Sequence, residues 1–140
     1  MIKQKKFILV IALLLALNAF SCKKGGSDVP ETVKADPSFA NDIQPVFTNN
    51  CALSGCHSST AQAGLILLQG QSYSNLINVN STQEPNRIRV LPGDAGNSYL
   101  VIKIEGNQTV GARMPFGRSP LSSVQIQNIK NWIDRGAKNN

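Results

Sequence analysis

A small all-α domain is the fold this sequence predicts, and three stretches carry the prediction. Phe39, Ile43, Val46 and Phe47 recur at helical spacing, leaving Asn41, Gln44 and Asn49 on the other side. Ser122 and Gln125 form a capping box ahead of one apolar stripe, Ile126, Ile129, Trp132 and Ile133. Between them, Asn97 or Ser98 can cap a helix over Tyr99 to Glu105, with Tyr99, Ile102 and Leu100 facing inward. Against these stands one short alternating run, Arg87 to Leu91, which suits a strand.

The chain opens with a leader, residues 1–21. Met1 to Lys6 is basic and Phe7 to Leu17 is almost purely apolar, a run too short to span a bilayer as a helix. Asn18-Ala-Phe-Ser21 then leads to Cys22, an ending similar to the lipobox of bacterial lipoproteins, in which the cysteine is lipidated and becomes the new first residue. The other reading is an ordinary signal peptide cleaved nearby. Either one exports the protein. A lipid on Cys22 would hold it on a membrane surface of the cell envelope, facing the periplasm or the cell exterior, without crossing the bilayer. Residues 22–37 are Lys, Gly, Ser, Asp, Pro and Glu with hardly a large apolar side chain, a composition that reads as a flexible tether.

One domain, residues 38–140, follows. In its first helix Pro45 is tolerable if Asp42 is the N-cap, because proline then occupies the first turn, where N–H groups lack intrahelical partners. Asn49-Asn50 ends that helix directly before Cys51-Ala-Leu-Ser-Gly-Cys56-His57. Two cysteines followed at once by a histidine form the pattern that attaches haem covalently. Each thiol joins one vinyl group as a thioether, and the adjoining imidazole can take the proximal iron position. Four residues separate the cysteines here where the usual form has two. Ser54-Gly55 can let the extra backbone bulge away, because glycine tolerates positive φ.

Past His57, Ser58 to Gly64 is loop, Gly64 to Leu68 an apolar run suited to line the core, and Gln71 to Asn78 a short helix. Pro92-Gly93-Asp94 marks a turn. Gly106 to Pro120 carries three glycines and two prolines and is loop, with Met114 in its middle. Met1 leaves with the leader, so Met114 is the one thioether able to give a sixth bond to iron. Its other use is to fill a gap in the core. The last helix, Ser122 to Arg135, stops at Gly136 and is expected to pack on the Phe39/Ile43/Phe47 face of the first.

Taken together, Asp42-Ile-Gln-Pro-Val-Phe47, Cys51 to His57, Gly64-Leu65, Pro92-Gly93, Ser98-Tyr-Leu100, Arg113-Met-Pro115, Leu121-Ser122 and Trp132-Ile-Asp-Arg-Gly-Ala137 stand in an order that resembles small cytochrome c-like domains of exported bacterial proteins, including the planctomycete-type cytochromes. The resemblance covers Phe39 to Ala137. It implies a cytochrome c-like helical domain wrapped around one haem c, joined through Cys51 and Cys56, with His57 as proximal and Met114 as distal iron ligand. It also implies electron transfer between redox partner proteins rather than catalysis. The spacer departs from the family pattern, and Phe116 stands where a second proline often follows the methionine. Arg87, Arg89 and Arg113 are candidates to pair with haem propionates, or plain surface charges.

Other readings of the same residues stay open. A Cys51–Cys56 disulfide would leave a haem-free surface lipoprotein, although closing so short a loop stabilises by only about 2 kcal/mol. Were Met114 absent from the iron or easily displaced, the domain would be a ligand-binding or peroxidase-like haem module. Zinc has only three ligands here and needs a fourth. Removing Lys3, Lys5 and Lys6 with the leader takes the formal charge from +6 to +3, with no basic block, so nucleic acid is not an expected partner. Asp42, Asp94 and Asp134 are scattered and no nucleophile–base pair is evident, so no hydrolytic enzyme is expected.

Overall fold

Ser38 starts the folded helices. Its Oγ accepts the Asn41 N–H at 3.3 Å, while the Asp42 carboxylate reaches back to accept the Ser38 N–H at 2.9 Å and the Lys34 ammonium at 2.5 Å. The computed structural model describes residues 32–140, so the leader, Cys22 and most of the tether lie outside the described residues. Phe39–Ile43 form a π-helical turn that runs straight into α1, Gln44–Asn50. Pro45 explains the wide turn: it has no N–H for the carbonyl four residues back, and its ring crowds that carbonyl, so the chain bonds one residue further along. The helix therefore begins before Asp42. The expected cap at Asp42 is corrected to Ser38, with Asp42 as its buried clasp.

A 3₁₀ turn at Gln62–Gly64 follows, then α2, Ser72–Leu76, α3, Tyr99–Glu105, and α4, Ser123–Asp134. The capping box of α4 is formed on both sides: Gln125 N–H donates to Ser122 Oγ at 3.2 Å and Ser122 N–H donates to Gln125 Oε1 at 2.9 Å. Among the described residues no strand forms, so the domain is all-α as expected. Arg87 to Leu91 makes only isolated bridges, Asn80 with Ile88 and Ile77 with Val90. Two of its carbonyls are taken by a helix instead, and Leu91 O accepts the Asp94 N–H in a turn. Ile88 O and Arg89 O accept the N–H groups of Tyr99 and Leu100, both at 2.9 Å, closing the open end of α3.

The core centres on Phe39. Its ring lies 5.2 Å from Trp132 and meets Tyr73 edge-on at 5.2 Å and Phe47 at 6.4 Å. Ile43, Val46, Leu76, Val90, Ile129 and Ile133 are wholly buried around it. So α4 packs on the π turn, with Ile126 only half-buried at the edge of the stripe. Both ends of the described chain are fastened here. Asn140 O accepts from Ala40 N at 2.8 Å, and the fully buried Asn128 ties Thr32 O at 2.9 Å and Lys34 N at 2.7 Å. The last residues assigned to the tether are thus held against α4. No helix among the described residues is long and apolar enough to cross a membrane.

Candidate functional site

Cys51 is the first residue beyond α1, and its N–H still bonds to Phe47 O at 2.8 Å. From there the chain closes a tight loop. Cys56 N–H donates to Leu53 O at 2.9 Å and His57 N–H returns to Cys51 O at 3.1 Å. Gly55 has φ +77°, which glycine tolerates, and nothing lies within 4 Å of where its Cβ would be, yet Gly55 itself lines the cavity rather than pointing away from it. Leu67 N–H donates to His57 O at 2.7 Å, which pins the loop to the apolar run after it.

His57 is half-buried, and its Nδ1 faces Leu65 O at 3.3 Å. A carbonyl can only accept, so this bond puts the proton on Nδ1, and in the neutral ring Nε2 then carries the lone pair that a metal would use. Burial holds the histidine pKa below its usual value. The Leu65 carbonyl opposes that shift, and the charges of Arg89 and Lys103 reinforce it. The ring is therefore neutral near pH 7, as a ligand must be. Cys51 is buried and its thiol is pushed up to about 12, by burial first and by neighbouring Cys56 second, with Arg118 opposing. Both thiols are free.

Met114 is carried by a separate loop, 106–120. Its N–H donates to Lys103 O at 2.9 Å, which hangs the loop from α3, and its side chain is half-buried against the core. A cis peptide bond joins it to Pro115. One cavity of about 510 Å³ is lined by all four expected residues, Cys51, Cys56, His57 and Met114. That volume falls in the range of pockets for small organic ligands and cofactors. Leu65, Leu67, Leu76, Leu100, Ile104 and Phe116 give it an apolar lining. Cys22 lies outside the described residues.

The arginine candidates separate cleanly. Arg89 lines the cavity, donating to Asn75 O at 2.8 Å and Gly64 O at 3.0 Å. Arg87 pairs with Glu84 at 2.8 Å, and Arg113 donates to Ile104 O at 3.2 Å; neither reaches the cavity. Sequence reasoning missed Lys103 and Tyr99, which also line it. Their i, i+4 spacing in a helix that is otherwise apolar up to Glu105 was the available signal. In α3 it is Val101 and Ile104, not Ile102, that are buried with them, so the inward face is rotated from the one expected. Lys103 is sealed in by Gly111, at φ +71°, where a Cβ would come within 3.2 Å of the ammonium. No group of three or more His, Cys, Asp or Glu stands together among the described residues. No family model matches the chain, and no curated protein and no solved structure matches it either.

Proposed function

We propose that the protein is an exported, lipid-anchored carrier of single electrons that holds one haem c in this cavity and passes charge between redox partner proteins. One observation carries the reading: two separate loops bring Cys51, Cys56, a neutral His57 and Met114 to the lining of one apolar cavity. The donor set suits the group. Cys51 and Cys56 would hold a porphyrin through thioethers, and His57 and Met114 would bind its iron. When bound, the haem would supply a one-electron couple. The two ligands together would leave iron no open site for substrate, and methionine ligation and burial would raise the potential relative to two histidines. The cytochrome c-like architecture, the lipid on Cys22 and the envelope location belong to the same proposal and rest on the sequence resemblance.

The test is a pyridine haemochrome assay with intact mass on the exported protein. The expected result is one porphyrin bound through both thiols. A colourless protein lighter by two hydrogens, with Cys51 bonded to Cys56, overturns the proposal. In the loaded protein His57→Ala is expected to abolish the low-spin absorption spectrum, and Met114→Ala to convert it to high spin.

A further inference from the structure

The polar side of the cavity has its own chemistry. Arg89, Tyr99 and Lys103 all line it and are nearly withdrawn from solvent, at 7%, 5% and 6% exposure. Among the described residues the ion pairs are Lys34–Asp42, Arg87–Glu84 and Lys130–Glu105, so neither Arg89 nor Lys103 has a carboxylate partner. Lys103 Nζ reaches only Val110 O, at 3.3 Å, and lies 5.8 Å over the Tyr99 ring. The Tyr99 hydroxyl is buried and makes no hydrogen bond. The Glu84 carboxylate acts on both Lys103 and Tyr99 but is paired with Arg87 and bonded by Thr109, and it closes no ion pair with Lys103. Buried cations without an ion-pair partner beside a hydroxyl without a hydrogen bond are costly, and such groups persist where a ligand completes them.

We infer that Arg89, Tyr99 and Lys103 form an acid-group subsite, which receives carboxylates carried on the apolar body that fills the rest of the cavity. Arg89 and Lys103 neutralise the charge, and the Tyr99 hydroxyl donates the hydrogen bond it now lacks. The inference rests on the porphyrin reading only for the source of those carboxylates: with it they are propionates, and without it the same geometry fits a free apolar acid. Burial depresses the lysine pKa and the Glu84 charge only partly opposes it, so a further anion beside the ammonium would be favoured.

The test uses the full mature chain exported by cells unable to attach haem. The probes are haemin, haemin dimethyl ester and oleate, with binding read from the fluorescence of the single tryptophan. Wild type is expected to bind haemin at least about tenfold more tightly than the ester, the size of one charge-assisted hydrogen bond. Lys103→Met and Tyr99→Phe should each weaken haemin about tenfold and leave the ester unchanged, while the unloaded variants melt at or above wild type because an unanswered buried group has gone. That opposite response of the empty and filled protein is one a merely structural role cannot give. Variants that bind haemin like wild type, or lose the ester equally, overturn the subsite. Wild type that ignores both porphyrins but binds oleate through Lys103 overturns the porphyrin reading and keeps the subsite. Failure with all three probes overturns both.

Discussion

Trp132 and Lys103 are both nearly lost to solvent, at 1% and 6% exposure, yet their surroundings follow opposite rules. Around Trp132 each group is answered: the indole N–H donates to Lys138 O at 2.9 Å and the ring stacks against Phe39 at 5.2 Å. A capping box starts its helix, and Gly136 with Ala137 closes it by bonding back to Ile133 O and Trp132 O. Around Lys103 the loop at Val110 and Gly111 folds back over the side chain, Gly111 holds a φ of +71° that strains any other residue, and a tyrosine hydroxyl goes without a hydrogen bond. Consistent local and tertiary preferences on one face make it a scaffold. Concentrated violations on the other are what a protein tolerates where a ligand belongs.

The largest break in that comparison comes from Trp132→Ala. Deleting a fully buried indole removes its transfer free energy and leaves a void, at about 3–5 kcal/mol. It is expected to lower the urea midpoint strongly. Lys103→Met, of comparable burial, should not lower it at all in the empty protein. If both lower the midpoint equally, the two faces do not differ in kind.

Cys51 sharpens the contrast because it belongs to both faces, joining the core cluster and lining the cavity. Its thiol is raised from 9.0 to about 12, chiefly by burial. A folded pKa above the unfolded one means that the native state holds the proton longer. The contribution is therefore complete below pH 9 and is lost as pH rises from there through 12, up to about 4 kcal/mol in all. In the empty protein the stability of wild type is expected to fall more steeply over that window than that of Cys51→Ala. Parallel curves would show that the thiol is not desolvated. His57 acts at the other end: its depressed pKa supports stability above pH 6.5 that is lost as pH falls through the folded value.

Legibility in the sequence divides along the same line. The capping box at Ser122, the positive φ at Gly55 and the apolar spacing of the first helix were readable because each depends on neighbours within four residues. So were Cys51, Cys56, His57 and Met114, whose chemistry singles them out even though only the fold brings them to one cavity. Arg87 to Leu91 was misread because alternation describes a two-faced strand, whereas Arg89 and Val90 are both buried and the flanking carbonyls serve α3. Asp42 failed as a cap because Pro45 widens the turn, which moves the helix start back to Ser38. Lys103 and Tyr99 were missed since a lysine in a helix is ordinarily a solvated end, and only the loop folding back at Val110 and Gly111 buries it.

The smallest effect tests how local the scaffold is. Ser122 is exposed and touches nothing in the cavity, so Ser122→Ala removes only the acceptor for Gln125 N–H and loosens the reciprocal bond from Ser122 N–H. An N-cap of this kind contributes about 1 kcal/mol. That much should appear as a parallel shift of the urea curve with an unchanged slope, and the affinity of the cavity for haemin should not move. Since α4 gives no residue to the cavity lining, a change in ligand affinity here would mean that the two faces are coupled through the Phe39–Trp132 contact and are not separable as scaffold and site.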